Sequence, residues 1–135
     1  MEEKKSFLKQ KIDFDSPNKN IVPITTSIGS DGKLSIGGCS IEELVEKYDS
    51  PLYILDEITL RNSCKAYKKA LEKYYPGDSL PIYASKANSS IFMSNLVSSE
   101  GFGLDAVSEG ELLTALQGGV PNEKIVFHGN NKSDN

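Results

Sequence analysis

The sequence lacks tryptophan, has only two cysteines and one histidine, and contains no long apolar run. Cys39 and Cys64 are too few for a disulfide framework and too far apart for a Cys-x-x-Cys site, so we expect two reduced thiols packed in the interior and no metal site. No stretch reaches the ~18 consecutive apolar residues of a membrane span, and the charged N-terminus lacks the apolar segment of a signal peptide. These absences favour a cytoplasmic protein with no membrane partner.

Positive charge is also in short supply. The 135 residues carry 15 basic and 19 acidic side chains, a formal net charge of -4, and show no basic stripe. A nucleic-acid partner is therefore not expected, because binding to phosphates depends on clustered Lys and Arg side chains. The length suits one soluble domain. It excludes a complete eight-stranded (β/α) barrel, which typically needs about 250 residues.

The chain changes character near Ser40. Residues 1–39 are polar and form a predicted arm, in which the pair Asp31 and Gly32 indicates a short hairpin. From Ser40 onwards, short apolar strands alternate with amphipathic helices, which is the pattern of parallel βα units. The expected strands are 52–55, 80–84, 102–106 and 124–127, and the expected helices are 41–48, 57–74, 90–100 and 109–117.

Local signals place the ends of these helices. Ser40 and Ser108 each open a capping-box pattern, and Asp56 is a candidate N-cap for the long second helix. On that helix the basic side chains, Arg61 among them, are expected to face water. The apolar side chains of the same helix mark the face that turns to the protein interior.

A polar residue lies at or just beyond the carboxyl end of each of the four predicted strands: Asp56, Lys86, Asp105 and His128. The carboxyl end of the strands is the rim on which (β/α) barrels assemble their active sites, with residues from several strands. An open doubly wound sheet also binds ligands at strand ends, but only near a reversal of strand order. The involvement of four consecutive strands therefore favours the first half of a barrel.

Lys86 is the most informative of these residues. It follows an apolar strand and is surrounded by the small residues Ala84, Ser85 and Ala87, which leave room for a ligand. A lysine amine in such a setting is a candidate to form an imine with a carbonyl compound. The alternative is an ordinary solvated lysine in a loop, and spacing alone leaves both interpretations open.

Four stretches, taken together, resemble a known family. Residues 83–88 read Tyr-Ala-Ser-Lys-Ala-Asn, and further matches lie at 50–56, 103–112 and 127–133. In this order they resemble the pyridoxal-phosphate-dependent decarboxylases and racemases of the alanine-racemase type, over about residues 33–133. The resemblance implies an α/β fold, the N-terminal half of a (β/α)8 TIM barrel. It also implies that the preceding arm joins a C-terminal β-domain absent from this chain.

The resemblance also implies roles for individual residues. Lys86 is the catalytic residue expected to hold pyridoxal 5′-phosphate. Asp105, Glu111 and His128 are expected to line the cofactor site. Asp105 also suits a helix cap, and Glu111 also suits a capping box with Ser108. Residues expected to shape the pocket are Tyr83, Asn88, Asn130 and Lys132.

Within the family, the Asn-Asn-Lys-Ser stretch at 130–133 is similar to the branch that decarboxylates meso-2,6-diaminopimelate to L-lysine and CO2, because ornithine-type enzymes tend to carry Pro-Cys-Lys there. The alternatives are another basic amino-acid decarboxylase or racemase on the same barrel, or a non-catalytic pyridoxal-phosphate-binding protein. The resemblance implies a homodimer whose phosphate loop, pyridine-nitrogen partner and stacking histidine lie beyond residue 135. We therefore expect this chain alone to be inactive.

Overall fold

The computed structural model describes residues 21–130. These residues form two compact units, one ending at Leu60 and the other beginning at Arg61. None of the helices among them is long and apolar enough to cross a membrane. The same residues contain no group of three or more His, Cys, Asp or Glu side chains suited to a metal ion. Lys132, one of the predicted pocket residues, lies outside the described residues.

The first unit contains a small antiparallel sheet. Its strands pair in chain order: β1 (Ser27–Ile28), β2 (Leu34–Ile36) and β3 (Cys39–Ser40). The turn between β1 and β2 is built by Asp31, whose carboxylate accepts a hydrogen bond from the Lys33 backbone at 3.1 Å, and by Gly32, which has a φ of 79°. The hairpin predicted from this pair is confirmed. Cys39, predicted to be packed, is instead exposed, because its short strand lies at the edge of the sheet.

Side-chain caps begin the first two helices, α1 (Ile41–Tyr48) and α2 (Glu57–Tyr74). The Ser40 hydroxyl accepts a backbone hydrogen bond from the first turn of α1 at 3.5 Å. The Asp56 carboxylate accepts one from Thr59 at 3.1 Å. Both caps satisfy backbone N–H groups that have no partner inside the helix. The predicted N-caps of these helices are therefore confirmed.

The strand predicted at residues 52–55 is not formed. This stretch has no regular structure and pairs with no strand in the described part of the chain. Tyr53, in its middle, is 97% exposed. An apolar run becomes a strand only where a neighbouring strand takes its backbone hydrogen bonds and covers its side chains. Residues 52–55 lack both, so their composition alone was a misleading signal.

The second unit is built on a parallel sheet. Its strands are β4 (Ile82–Ala84), β5 (Gly103–Ala106) and β6 (Ile125–Phe127). Helix α3 (Ile91–Ser99) connects the first two strands, and helix α4 (Glu109–Gln117) connects the last two. All three strands pair in chain order without a reversal. Sequential order is the order of a barrel wall, whereas a doubly wound sheet reverses at its binding site.

The core of this unit lies between the sheet and its two helices. Leu104 and Ala106 on β5, Leu96 on α3 and Ala115 on α4 are all fully buried, and β5 contacts both helices. Burying a leucine of this kind contributes about 1.5–3 kcal/mol relative to leaving it in water. Gly118, after α4, lets the helices approach closely, because a Cβ there would lie 2.4 Å from that of Ser94.

The opposite face of the sheet carries the residues that alternate with this core. Ala84 lies beside Asp105 in the strand register, and Asp105 lies beside Val126. Successive side chains on a strand point to opposite faces, so these three share the face away from Leu104. Val126 is 47% exposed, whereas Leu104 is 1% exposed. Within the second unit, the more exposed face of the sheet is therefore the face that carries Asp105.

Candidate functional site

Three polar side chains gather at the carboxyl edge of the parallel sheet. Lys86 lies in the 3-10 turn Ser85–Ala87, which directly follows β4. Asp105 is the third residue of β5, and His128 directly follows β6. Because the strands are parallel, their carboxyl ends meet at one edge. The structure thus brings together residues that are 19 to 42 positions apart in the chain.

Asp105 connects the other two strands. Its Oδ1 accepts a hydrogen bond from the backbone N–H of Ser85 at 2.7 Å. Its Oδ2 lies 3.4 Å from Nε2 of His128. The Asp105 side chain is 26% exposed and that of His128 is 54% exposed. The short bond to Ser85 is charge-assisted and partly shielded from water, so it is the stronger of the two contacts.

Lys86 projects from the turn that Asp105 holds. It is exposed, and its neighbours Ala84 and Ala87 are small and exposed as well. Among residues 21–130, no carboxylate forms an ion pair with its ammonium group, and Asp105 is no exception. An amine without a competing partner is suited to bond covalently to a carbonyl carbon.

Tyr83 and Asn88 close the lysine loop on the side of the sheet that faces the helices. Tyr83 lies beside Leu104 in the register, and its hydroxyl donates to the backbone carbonyl of Asn88 at 3.3 Å. The Asn88 side-chain oxygen accepts a hydrogen bond from the backbone N–H of Ser90 at 3.0 Å, and Ser90 is the N-cap of α3. Burial raises the pKa of the Tyr83 hydroxyl, so it stays protonated and remains a donor at neutral pH. Tyr83 and Asn88 therefore hold the end of the lysine turn close to β4 and α3.

Glu111 is engaged by the backbone at the start of α4. Its Oε2 accepts from the N–H of Val107 at 2.7 Å and from that of Ser108 at 3.2 Å. The Ser108 hydroxyl accepts in return from the N–H of Glu111 at 3.3 Å. This is the reciprocal capping box expected from the sequence. The structure places Glu111 in the capping box at the N-terminus of α4, and among residues 21–130 it forms no ion pair with Lys86.

The end of β6 is held to β5. The backbone N–H of His128 donates to the carbonyl of Ala106 at 2.9 Å, one residue beyond the strand itself. Gly129 follows with a φ of 121°, a conformation that suits glycine. Asn130 comes next and is exposed. The backbone of His128 is therefore held in place beside β5, directly after the end of β6.

Sequence reasoning missed the part played by Ser85. This residue is 2% exposed, and its backbone N–H is the donor that joins the lysine turn to β5. A backbone donor carries no side-chain signature, so only the alignment of β4 with β5 reveals its partner. The signal that was available is indirect: Asp105 ends one parallel strand and Lys86 follows the adjacent one.

Comparison with known proteins identifies the family of this chain. A family model described as pyridoxal-dependent decarboxylase, pyridoxal binding domain, matches residues 57–135. The chain belongs to this family. The resemblance expected from the four motifs is confirmed, and so is the fold class, a part of the alanine-racemase-type barrel.

Similar pyridoxal-dependent decarboxylases carry a more specific name. The chain is 48% identical over 126 residues to diaminopimelate decarboxylase of Synechocystis sp.. The matched region covers 87% of this chain and 27% of that protein. It is 48% identical over 103 residues to the Bacillus subtilis enzyme of the same name, with coverages of 76% and 23%. The chain spans about a quarter of the length of these relatives.

Solved structures of this family agree with the fold. A crystal structure of diaminopimelate decarboxylase from M. jannaschii matches with a TM-score of 0.73 and 36% identity, over 80% of this chain and 25% of that one. A second crystal structure of that enzyme, in complex with L-lysine, matches with a TM-score of 0.67, the same identity and the same coverages.

The cofactor of the family is pyridoxal 5′-phosphate, and the residues of this chain fit it. Its aldehyde requires a primary amine, and Lys86 offers one without a competing ion-pair partner among residues 21–130. Ala84 and Ala87 leave space beside that amine, where a bulky side chain would block a ring. A carboxylate and an imidazole lie at the same edge of the sheet. The donor chemistry is therefore that of a pyridoxal-phosphate site.

Proposed function

We propose that this chain is the cofactor-lysine portion of a diaminopimelate decarboxylase, which converts meso-2,6-diaminopimelate to L-lysine and CO2. The observation that carries the proposal is Lys86, which is exposed at the carboxyl edge of a parallel sheet, with the small residues Ala84 and Ala87 close to it in the chain. The pyridoxal-binding family and the name shared by relatives up to 48% identical support the same reaction. The L-lysine bound to the M. jannaschii enzyme has the structure of the proposed product.

Each residue at the edge has a part in the proposed mechanism. When bound, the cofactor supplies an electron sink for the carbanion left by decarboxylation. The Nζ atom of Lys86 would hold the cofactor, and as a free amine it would be able to hold or deliver a proton. Asp105 accepts a hydrogen bond from the Ser85 backbone and in this way fixes the turn that carries Lys86. His128 contributes to the wall of the site beside Asp105.

The proposal extends to the organisation of the enzyme. In this proposal residues 1–39 belong to an arm that joins a second, β-rich domain, and residues 40–135 belong to the first half of the barrel, of which the three strands β4, β5 and β6 are formed in the described residues. We propose a cytoplasmic homodimer whose remaining cofactor contacts come from later strands. The partly exposed sheet face, with Val126 at 47%, supports a cover from later strands, because an apolar face is stable when it is covered. We expect the 135-residue chain on its own to show no turnover.

The decisive experiment uses the natural gene product, purified with pyridoxal phosphate. We expect visible absorbance from the lysine-bound cofactor, and L-lysine and CO2 from meso-2,6-diaminopimelate but not from ornithine or arginine. Lys86→Ala is expected to remove the absorbance and to lower turnover by at least ~10³-fold. Lys65→Ala, an exposed lysine on α2, is the matched control and is expected to keep both.

The same measurements separate the competing functions. Turnover of ornithine or arginine in place of diaminopimelate would identify another basic amino-acid decarboxylase, and racemisation of an amino acid would identify a racemase. Absorbance without turnover of any of these substrates would identify a cofactor-binding protein. Absorbance that persists in Lys86→Ala would show that another residue holds the cofactor.

A further inference from the structure

We infer that Asp105 is a positioning residue, which acts on Lys86 through the backbone of Ser85 and not through its charge. The inference rests on the proposed function and deepens it, because it states how the cofactor lysine is aimed. Its basis is one contact that is present and one that is absent. The Asp105 carboxylate accepts from the Ser85 N–H at 2.7 Å. Within residues 21–130 it forms no ion pair with Lys86.

The lysine turn needs such support because it is short and lies outside the strand. Ser85–Ala87 is a single 3-10 turn with no side-chain cap at its start. Runs of this length have poorer hydrogen-bond geometry than α-helix. The N–H of Ser85 is one of the donors that such a turn leaves without an internal partner. Asp105 satisfies it from the adjacent strand, so the direction of the next residue, Lys86, depends on β5.

The support is anchored on rigid structure. Asp105 belongs to the central strand, where Ala84 and Val126 lie beside it on either side. Its second oxygen, Oδ2, lies 3.4 Å from Nε2 of His128. The backbone N–H of His128 in turn donates a hydrogen bond to the carbonyl of Ala106 on the same central strand. One side chain therefore links the ends of all three strands. His128 is half exposed and its contact is long, so it orients the carboxylate and contributes less than Ser85 does.

Two substitutions separate position from charge. Asp105→Asn removes the charge but keeps an amide oxygen at the position of Oδ1 to accept from Ser85. Asp105→Glu keeps the charge but moves the carboxylate outward by one methylene, so the 2.7 Å bond is lost. If Asp105 acts by position, the Asn variant is expected to lose less activity than the Glu variant. If Asp105 acts by its charge on Lys86 or on the cofactor, the Glu variant is expected to lose less activity.

The test uses the natural gene product and three measurements. The first is kcat and KM for meso-2,6-diaminopimelate. The second is the rate at which borohydride traps pyridoxal phosphate on Lys86 of the apoprotein, measured by peptide mass spectrometry. The third is hydrogen exchange at the Ser85 amide. Asp78→Asn, an exposed aspartate in the loop before β4, is the matched control.

For Asp105→Asn we expect kcat and the trapping rate to fall about threefold, with Ser85 still protected. For Asp105→Glu we expect both to fall ~10²-fold with KM changed little, because misplacing a catalytic group by about 1 Å costs this much. Ser85 exchange is expected to accelerate only in the Glu variant. His128→Leu is expected to lower kcat a few fold and to add little to Asp105→Glu, since both act through one contact network.

The inference fails if Asp105→Asn loses as much as Asp105→Glu or more, because charge would then be the property that matters. It also fails if the Glu variant traps the cofactor at the wild-type rate. Should the Glu variant not fold, a ~10²-fold loss in Asp105→Asn overturns the inference and a loss below tenfold supports it. Failure of the proposed function is distinct: the wild-type protein itself would then neither trap the cofactor on Lys86 nor release CO2.

Discussion

Gly103 is the position at which one added methyl group best tests the geometry of the parallel sheet. An ideal Cβ at this residue would lie 2.5 Å from the backbone oxygen of Lys124 and 2.6 Å from Cδ1 of Ile82. The end of the isoleucine can rotate away, but the Lys124 carbonyl belongs to the backbone that leads into β6. Gly103→Ala is therefore expected to push β5 and β6 apart, two residues before Asp105.

The cost follows from the size of the clash. Forcing an extra carbon into a well-packed region costs about 1–3 kcal/mol, which is about a 5- to 150-fold change in an equilibrium at roughly 1.4 kcal/mol per factor of ten. Gly110→Ala is the matched control. It adds the same methyl group in the first turn of α4, where nothing lies within 4 Å. There it is expected to stabilise the helix by up to about 1 kcal/mol.

Hydrogen exchange with mass spectrometry measures this difference locally in the natural gene product. We expect amides of β5 to exchange about 5 to 150 times faster in Gly103→Ala, and the amides of α4 to exchange at the wild-type rate or more slowly in Gly110→Ala. Decarboxylation is expected to fall in the Gly103 variant, because Asp105 shifts with its strand. Equal protection of β5 in the two variants would refute the close contact between β5 and the Lys124 carbonyl.

Two further predictions concern the buried side of α2. Arg61 donates to Glu100 at 2.7 Å and to Ser99 at 2.9 Å, and the Glu100 side chain is only 13% exposed, so Arg61→Ala is expected to cost about 1–3 kcal/mol in denaturant unfolding. Arg61→Lys should recover part of this, and a wild-type midpoint for the alanine variant would contradict the ion pair. Burial raises the pKa of the Cys64 thiol, so at pH 8 less of it is thiolate. We expect iodoacetamide to label exposed Cys39 at least about tenfold faster than buried Cys64, as measured by peptide mapping. Equal labelling rates at the two cysteines would show that Cys64 is accessible.

Short-range signals in the sequence predicted this structure well. The caps of α1, α2 and α4 were all found, because a cap joins a side chain to a backbone group within about four residues. The hairpin at Asp31 and Gly32 was found for the same reason. The gathering of Lys86 and His128 near Asp105 also followed from local patterns, since parallel strands bring their carboxyl ends to one edge.

Features that depend on distant partners were missed. Arg61 was expected to face water, yet it pairs with Glu100, 39 residues away. Residues 52–55 were expected to form a strand, yet no described strand pairs with them. In each case the composition of the segment is compatible with both outcomes, and the partner decides. A sequence taken alone gives the propensity of a segment but not the identity of its neighbour.

The site illustrates why the distant contact matters for function. Lys86, the proposed cofactor lysine, lies in a turn, where it has room for a cofactor ring, but residues in turns are held less firmly than residues in strands. The Asp105 side chain removes this disadvantage, because it transfers the position of the central strand to the Ser85 amide. Lys86 itself then needs no ion pair to fix it, and its amine is left open for covalent chemistry. The carboxylate beside a cofactor lysine is, on this view, part of the scaffold that aims the amine.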